Sequence, residues 1–170
     1  LGYWKQTSKS KNRFYNLNFK DVELITKDSN NQNACIIIDY HYCDKKLKSY
    51  PKKDQTPISM IRITSRREDI DRAIKFANKL QEFTKLDMSF QIINSTNYSK
   101  NELSNIAKKF KGSNFLYIYF ADSHGNLNLI NDYWKFKDAI EIFKENNFMV
   151  GFHLHNHTDR ALLNYYYGLQ

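Results

Sequence analysis

Residues 115–154 read FLYIYFADSHGNLNLINDYWKFKDAIEIFKENNFMVGFHL, and this stretch decides the fold. Phe115–Ala121 is a short run of aromatic and aliphatic residues that reads as a buried strand. Leu129–Glu145 then sets Trp134, Phe136, Ile140 and Phe143 at helical spacing among charges, the pattern of a helix with one apolar face. Phe148–Leu154 (FMVGFHL) closes the stretch as a second strand. Strand, helix and strand in sequence make one βαβ unit, because two parallel strands need a crossover of this length.

The same alternation extends outward. Ala34–Asp39 (ACIIID), Ile58–Thr64 (ISMIRIT) and Met88–Ile93 (MSFQII) read as further strands. Glu68–Phe83 is predicted helical on Ile70, Ile74, Ala77 and Leu80, with Ser65 as its cap and Glu68 completing a capping box. Ser99–Phe110 is predicted helical on Leu103, Ile106 and Phe110. Thr158–Gly168 begins another helix, with Thr158 as cap and Asp159 in the first turn. From residue 58 onward the strand starts recur about every 30 residues, the size of one βα unit. Such a chain is an α/β fold with a parallel sheet, either a closed barrel or an open doubly wound sheet. No GxGxxG or GxxxxGK[ST] follows any strand, which removes the usual nucleotide-binding support for the open sheet.

The first third is less regular. Tyr3–Trp4 reads as a strand end, Lys9–Arg13 as a polar loop, Phe19–Ile25 as a short helix and Asp28–Asn33 as a turn-rich linker. His41–Thr56 is a Lys-rich connection punctuated by Pro51 and Pro57. No internal domain boundary is evident. The chain opens without Met on what reads as a strand end, and the alternation runs to its last residue, so the expectation is one incomplete domain, 1–170, cut from a longer protein.

Composition sets the class. Hydrophobic residues make up 41% and aromatics 15% of the 170 residues, which suits a sizeable core and excludes a disordered chain. No apolar run approaches the roughly 18–20 residues that span a bilayer, so no membrane partner is expected. The net charge of +8 fits a nucleic-acid partner or an anionic ligand. Lysines scattered along the chain, without clustering, argue against nucleic acid. Cys35 and Cys43 form no CxxC pair; Cys35 lies in an apolar run and reads as a reduced core thiol, which points to the cytoplasm.

The sharpest chemical feature is Gly151-Phe152-His153-Leu154-His155-Asn156. Side chains two apart on a strand share a face, so His153 and His155 project two imidazoles together where the strand hands over to the next helix. That pair suits a divalent metal, or two histidines with separate hydrogen bonds. His157 reads as a loop residue. In Ala121-Asp122-Ser123-His124-Gly125, a strand ends in a carboxylate. Either Asp122 orients a water, a histidine or a substrate hydroxyl, or Asp122 or Ser123 satisfies loose backbone N–H groups in an Asx-type turn or helix cap. Arg62, inside the strand Ile58–Thr64, needs an anionic ligand or a buried carboxylate such as Asp39 or Asp122. Gln91 is an amide within a strand and must find partners; Asn94 follows at the strand end. Trp4, Lys5 and Gln6 sit at the first strand end, where Lys5 is either a substrate clamp or an exposed lysine. The tyrosines at 165–167 read as packing residues.

With these residues in place, the chain resembles the HMG-CoA-lyase-like, or DRE-TIM metallolyase, family, which includes 4-hydroxy-2-oxovalerate aldolase. GFHLHNHTDRALLN is similar to the family's G-F/I-H-x-H-N followed by a helix with Ala-x-x-Asn, here Ala161 and Asn164. FLYIYFADSHGNL is similar to its strand ending in D-[ST]-x-G, which gives Asp122, Ser123 and Gly125. IRIT resembles its fourth strand, and LGYWKQ the end of its second. The resemblance implies a partial TIM (β/α)8 barrel, roughly strands 2 to 7. It implies a divalent metal, Mg²⁺ or Mn²⁺, with His153 and His155 as ligands. It implies carbon–carbon lyase, aldolase or acyl-condensing chemistry on a 2-oxo acid or acyl substrate through a stabilised enolate. Asp122, Arg62 and His124 are then the catalytic candidates, and Gln91, Asn94 and Lys5 the substrate-binding ones. Related barrels often pair, so a homodimer is an open expectation. The family's D-x-T-L-R-D-G, which supplies an aspartate ligand and a catalytic arginine, does not occur in these residues. An alternative therefore stands beside the enzyme: a catalytically inactive barrel serving as a binding or interaction module.

Overall fold

The computed structural model describes residues 1–5, 12–27 and 33–169. Gln6, most of the polar loop at 9–13 and most of the linker at 28–33 lie outside them. Five strands alternate with helices: β1 Ala34–Asp39, β2 Ile58–Ser65, β3 Asp87–Ile92, β4 Tyr117–Ala121 and β5 Met149–His153. The helices are α1 Phe19–Thr26, α2 Ile70–Thr84, α3 Lys100–Lys109, α4 Leu129–Glu145 and α5 Ala161–Gly168. Each strand expected from an apolar run is present, within two residues of the expected ends at most positions. The chain divides into two compact units, Leu1–Ser89 and Phe90–Gln170, the division falling within β3.

In the first unit the strand order is β1-β2-β3. β1 and β2 are parallel, with Ile37 opposite Arg62 and Asp39 opposite Thr64. Tyr3 makes an isolated parallel bridge to Ile37, the remnant of the strand end expected there. Alternation gives the sheet two unlike faces. Ile36, Ile38, Ile61 and Ile63 are fully buried, whereas Cys35, Ile37, Asp39, Met60 and Arg62 are half-buried. α2 packs on β2 and buries Ile70, Ala73, Ile74, Ala77, Leu80 and Thr84, a stripe at three- and four-residue spacing. α1 starts with a capping box: Asn18 Oδ1 accepts from the Asp21 N–H, and Asp21 Oδ2 accepts from the Asn18 N–H.

The first unit corrects two expectations, the cap at Ser65 and the core thiol at Cys35, and shows what orders the connection after β1. Ser65 is not a helix cap: it ends β2, and its hydroxyl donates to the Arg66 carbonyl, while a 3₁₀ turn at Arg67–Asp69 leads into α2. The better-buried thiol is Cys43, not Cys35; both are free cysteines, and burial pushes both thiols above their ordinary pKa. The connection 41–56 is ordered by its own contacts. Tyr50 is buried and donates to the Asp44 carbonyl at 2.6 Å, and Lys45 lies over the Tyr40 ring.

In the second unit the order is β3-β4-β5. β4 and β5 are parallel, with Tyr119 opposite Gly151 and Ala121 opposite His153. Ile118 and Phe120 are buried, and Phe120 and Phe136 meet Phe152 from the helix side. Phe90, Phe110, Phe115, Phe143 and Phe148 form an edge-to-face aromatic core. The other sheet face carries Gln91, Tyr119 and His153; Gly151 is bare there because a Cβ would stand 3.0 Å from the Tyr119 ring. α3 has its own capping box, Ser99 Oγ accepting from the Glu102 N–H and the Glu102 carboxylate from the Ser99 N–H. Ser99→Ala is expected to cost about 1 kcal/mol of stability, measured by urea denaturation.

Two helix-face readings change here. Trp134 is 58% exposed, whereas Phe136, Ala139, Ile140 and Phe143 carry the buried stripe of α4. Tyr165, Tyr166 and Tyr167 are exposed on α5 rather than packed.

Candidate functional site

The polar residues that gather are all in the second unit, at the C-terminal ends of β3, β4 and β5. The register places His153 as the last residue of β5, and its carbonyl accepts from the Asp122 N–H at 2.9 Å. The parity expected for His153 and His155 holds: their Nε2 atoms lie 3.1 Å apart and their ring centroids 5.0 Å apart. Both rings are half-buried. On the far side of His153, Nδ1 is 2.9 Å from the side-chain amide of Gln91, itself 7% exposed. His155 Nδ1 is buried with no hydrogen-bond partner among the described residues.

Two further histidines, His124 and His157, flank this pair. The His157 ring lies 5.5 Å from that of His155, and its Nδ1 is 3.2 Å from the His124 carbonyl. Both His124 and His157 are exposed, so the contact made by His124 is through its backbone.

Asp122 is fully buried and organises the loop after β4. Its Oδ1 accepts from the N–H groups of Asn126 and Leu127, and its carbonyl accepts from the Gly125 N–H. This is the Asx-type role open from sequence. Oδ2 has no hydrogen-bond partner among the described residues. Gly125 has φ +64° and passes so close to His157 that a Cβ would meet its Cβ at 2.8 Å and its backbone N at 2.9 Å. Gly125→Ala is expected to destabilise by about 2 kcal/mol or more, since the left-handed backbone and the contact both penalise a side chain. Chemical denaturation of the variant checks this.

The end of β5 is tied to that loop. Thr158 is not the α5 cap; its hydroxyl donates to the Gly125 carbonyl at 2.5 Å. The Ala161 N–H donates instead to Asn156 Oδ1. Asn164, 2% exposed, accepts from the Leu129 N–H and donates to the Leu127 carbonyl, bracing α5 against the start of α4. Asn94, in the left-handed region at φ 54°, uses its backbone N–H to donate to Ser123 Oγ. Ser123 thus takes the backbone-satisfying role open to it from sequence, but for a donor 29 residues away.

The first unit holds the other candidates. Arg62 is half-buried on β2, near enough to Cys35 for its charge to offset part of the burial that raises the thiol. Lys5 is exposed, with Nζ 5.6 Å from the Trp4 ring and 5.7 Å from the Phe19 ring, a cation–π position.

Two imidazole nitrogens 3.1 Å apart can share one proton or one cation. Nitrogens about 2.1 Å from a single metal and at right angles lie ~3 Å apart, so the spacing fits two adjacent ligands. Among the described residues no group of three or more His, Cys, Asp or Glu is placed to hold a metal ion.

Fold and site together define an α/β chain of partial TIM-like barrel type with a polar cluster at its strand ends. Among solved structures the chain is similar to one described as "Crystal structure of the N-terminal domain of a putative aldolase from Bacteroides vulgatus", with a TM-score of 0.65 and 19% identity. The match covers 99% of this chain and 55% of that one, so the chain spans about half the length of the structure it resembles. Neither a protein-family model nor a curated protein matches the sequence. No helix among the described residues is long and apolar enough to cross a membrane.

Proposed function

We propose that this chain forms part of the catalytic face of an aldolase-type barrel, in which His153 and His155 hold a divalent metal, Mg²⁺ or Mn²⁺. The observation that carries the reading is the 3.1 Å approach of the two Nε2 atoms at the end of β5, the end at which barrel enzymes place their chemistry. A metal held there supplies Lewis-acid stabilisation of negative charge on an oxo-acid or acyl substrate. The fold likeness to the structure described as "the N-terminal domain of a putative aldolase" supports the same class. In this reading Asp122 shapes the loop beside the site. His124 and Asn94 belong to the loops around it. The test is Mn²⁺ titration of the full chain and of His153→Ala, followed by assay for 2-oxo-acid release from aldol substrates.

The second reading is a barrel without catalysis that serves as a binding module. It is favoured by the two-imidazole donor set, with no third His, Cys, Asp or Glu grouped beside it among the described residues. Absence of Mn²⁺ uptake by the folded full chain selects it.

A further inference from the structure

Two orientations of the Gln91 amide are compatible with the contacts among Gln91, His153 and His155. In the first, the Gln91 amide N–H donates to an unprotonated His153 Nδ1. His153 then carries its proton on Nε2 and donates it across the 3.1 Å gap to His155 Nε2. In that state the point between the rings is filled by a proton. In the second, the amide is turned over. Gln91 Oε1 accepts from His153 Nδ1–H, and His153 Nε2 is left unprotonated, either to accept from His155 Nε2–H or, when His155 carries its proton on Nδ1, to share a cation with it. Only this arrangement allows both Nε2 lone pairs to converge on one cation, because a nitrogen bearing hydrogen cannot ligate. The heavy atoms need not move, since oxygen and nitrogen of the amide exchange places.

We propose that Gln91 is the positioning residue that sets the tautomer of His153, and that its amide must present oxygen for the two imidazoles to capture a metal. The inference rests on the metal reading above and adds the control of that site. Gln91 suits the role because it is 7% exposed, so water competes little for its amide, and it reaches His153 on the side opposite His155. In this proposal it acts through His153 rather than on substrate. For a neutral pair the change costs no net proton: His153 gives one up at Nε2 and takes one at Nδ1.

The experiment uses the full chain, Gln91→Glu and Gln91→Leu, each checked for folding by circular dichroism. Long-range ¹H–¹⁵N spectra of the metal-free proteins read the His153 tautomer, and Mn²⁺ titration followed by electron paramagnetic resonance reads affinity. Glutamate at 91 only accepts, so it is expected to hold His153 in the Nδ1–H form and to bind Mn²⁺ at least as tightly as the wild type. Leucine is expected to lose the tautomer preference and weaken Mn²⁺ binding about 10–100-fold, the usual effect of removing an outer partner of a ligating histidine. Identical His153 tautomers in Gln91→Glu and Gln91→Leu overturn the proposal, as does undiminished Mn²⁺ binding by Gln91→Leu. If wild type takes up no Mn²⁺, the metal reading fails, while the tautomer spectra still decide the role of Gln91.

Discussion

His153→Ala is expected to abolish Mn²⁺ binding by the full chain, weakening it more than ~100-fold, while the protein stays folded. Loss of an outer partner alone costs ~10–100-fold, and this change removes a ligand together with the group that Gln91 orients. The site has two imidazoles, so a single remaining nitrogen cannot chelate. His155→Ala is expected to behave the same way. His157→Ala supplies the control: its ring is exposed, and its Nδ1 is engaged with the His124 carbonyl. It is expected to leave Mn²⁺ affinity within about threefold, a difference of under ~1 kcal/mol. Wild-type affinity in His153→Ala would refute the metal assignment.

The largest effect on stability is expected from Phe110→Ala. Phe110 is fully buried at the end of α3, and its ring contacts those of Phe90, Phe115 and Phe143 at centroid distances of 4.9, 5.5 and 5.4 Å. Removing it deletes the apolar transfer term and opens a cavity among rings that cannot all collapse into the space, so a loss of about 3–5 kcal/mol is expected. Stabilities of native domains are about 5–15 kcal/mol, and such a loss is readily seen in a urea or thermal transition. Trp134→Ala removes a larger side chain from the same unit, yet Trp134 is 58% exposed, so its loss is expected to change stability by under about 1 kcal/mol. A larger cost for Trp134 than for Phe110 would contradict the packing described for this unit.

That contrast marks the boundary between what could be read from the chain and what could not. Strands were legible because Ala34–Asp39 and Phe115–Ala121 combine apolar content, short length and turn-rich flanks, signals held locally. Helices were legible for the same reason, as the Ile70, Ile74, Ala77, Leu80 stripe shows. Their starts were less so. Ser65 and Thr158 have the right chemistry for caps, but Ser65 is held in β2 and Thr158 is claimed by the Gly125 carbonyl. A hydroxyl goes to the partner that tertiary structure brings, and local sequence does not encode which one. Trp134 and Phe136 stand two residues, about 200°, apart around α4, so one face cannot bury both; Phe136 shares the buried stripe with Ile140 and Phe143, and Trp134 does not.

The sequence by itself determined the alternating α/β architecture and the shared face of His153 and His155, since both follow from periods of 3.6 and 2 along one chain. Tertiary structure alone decided that Gln91 lies against His153, across 62 residues, and that Asp122 gives one carboxylate oxygen to its own loop. The reason is register. Which residue of one strand faces which residue of another depends on how separate segments slide into alignment, and a one-residue slip would turn either side chain to the opposite face of the sheet.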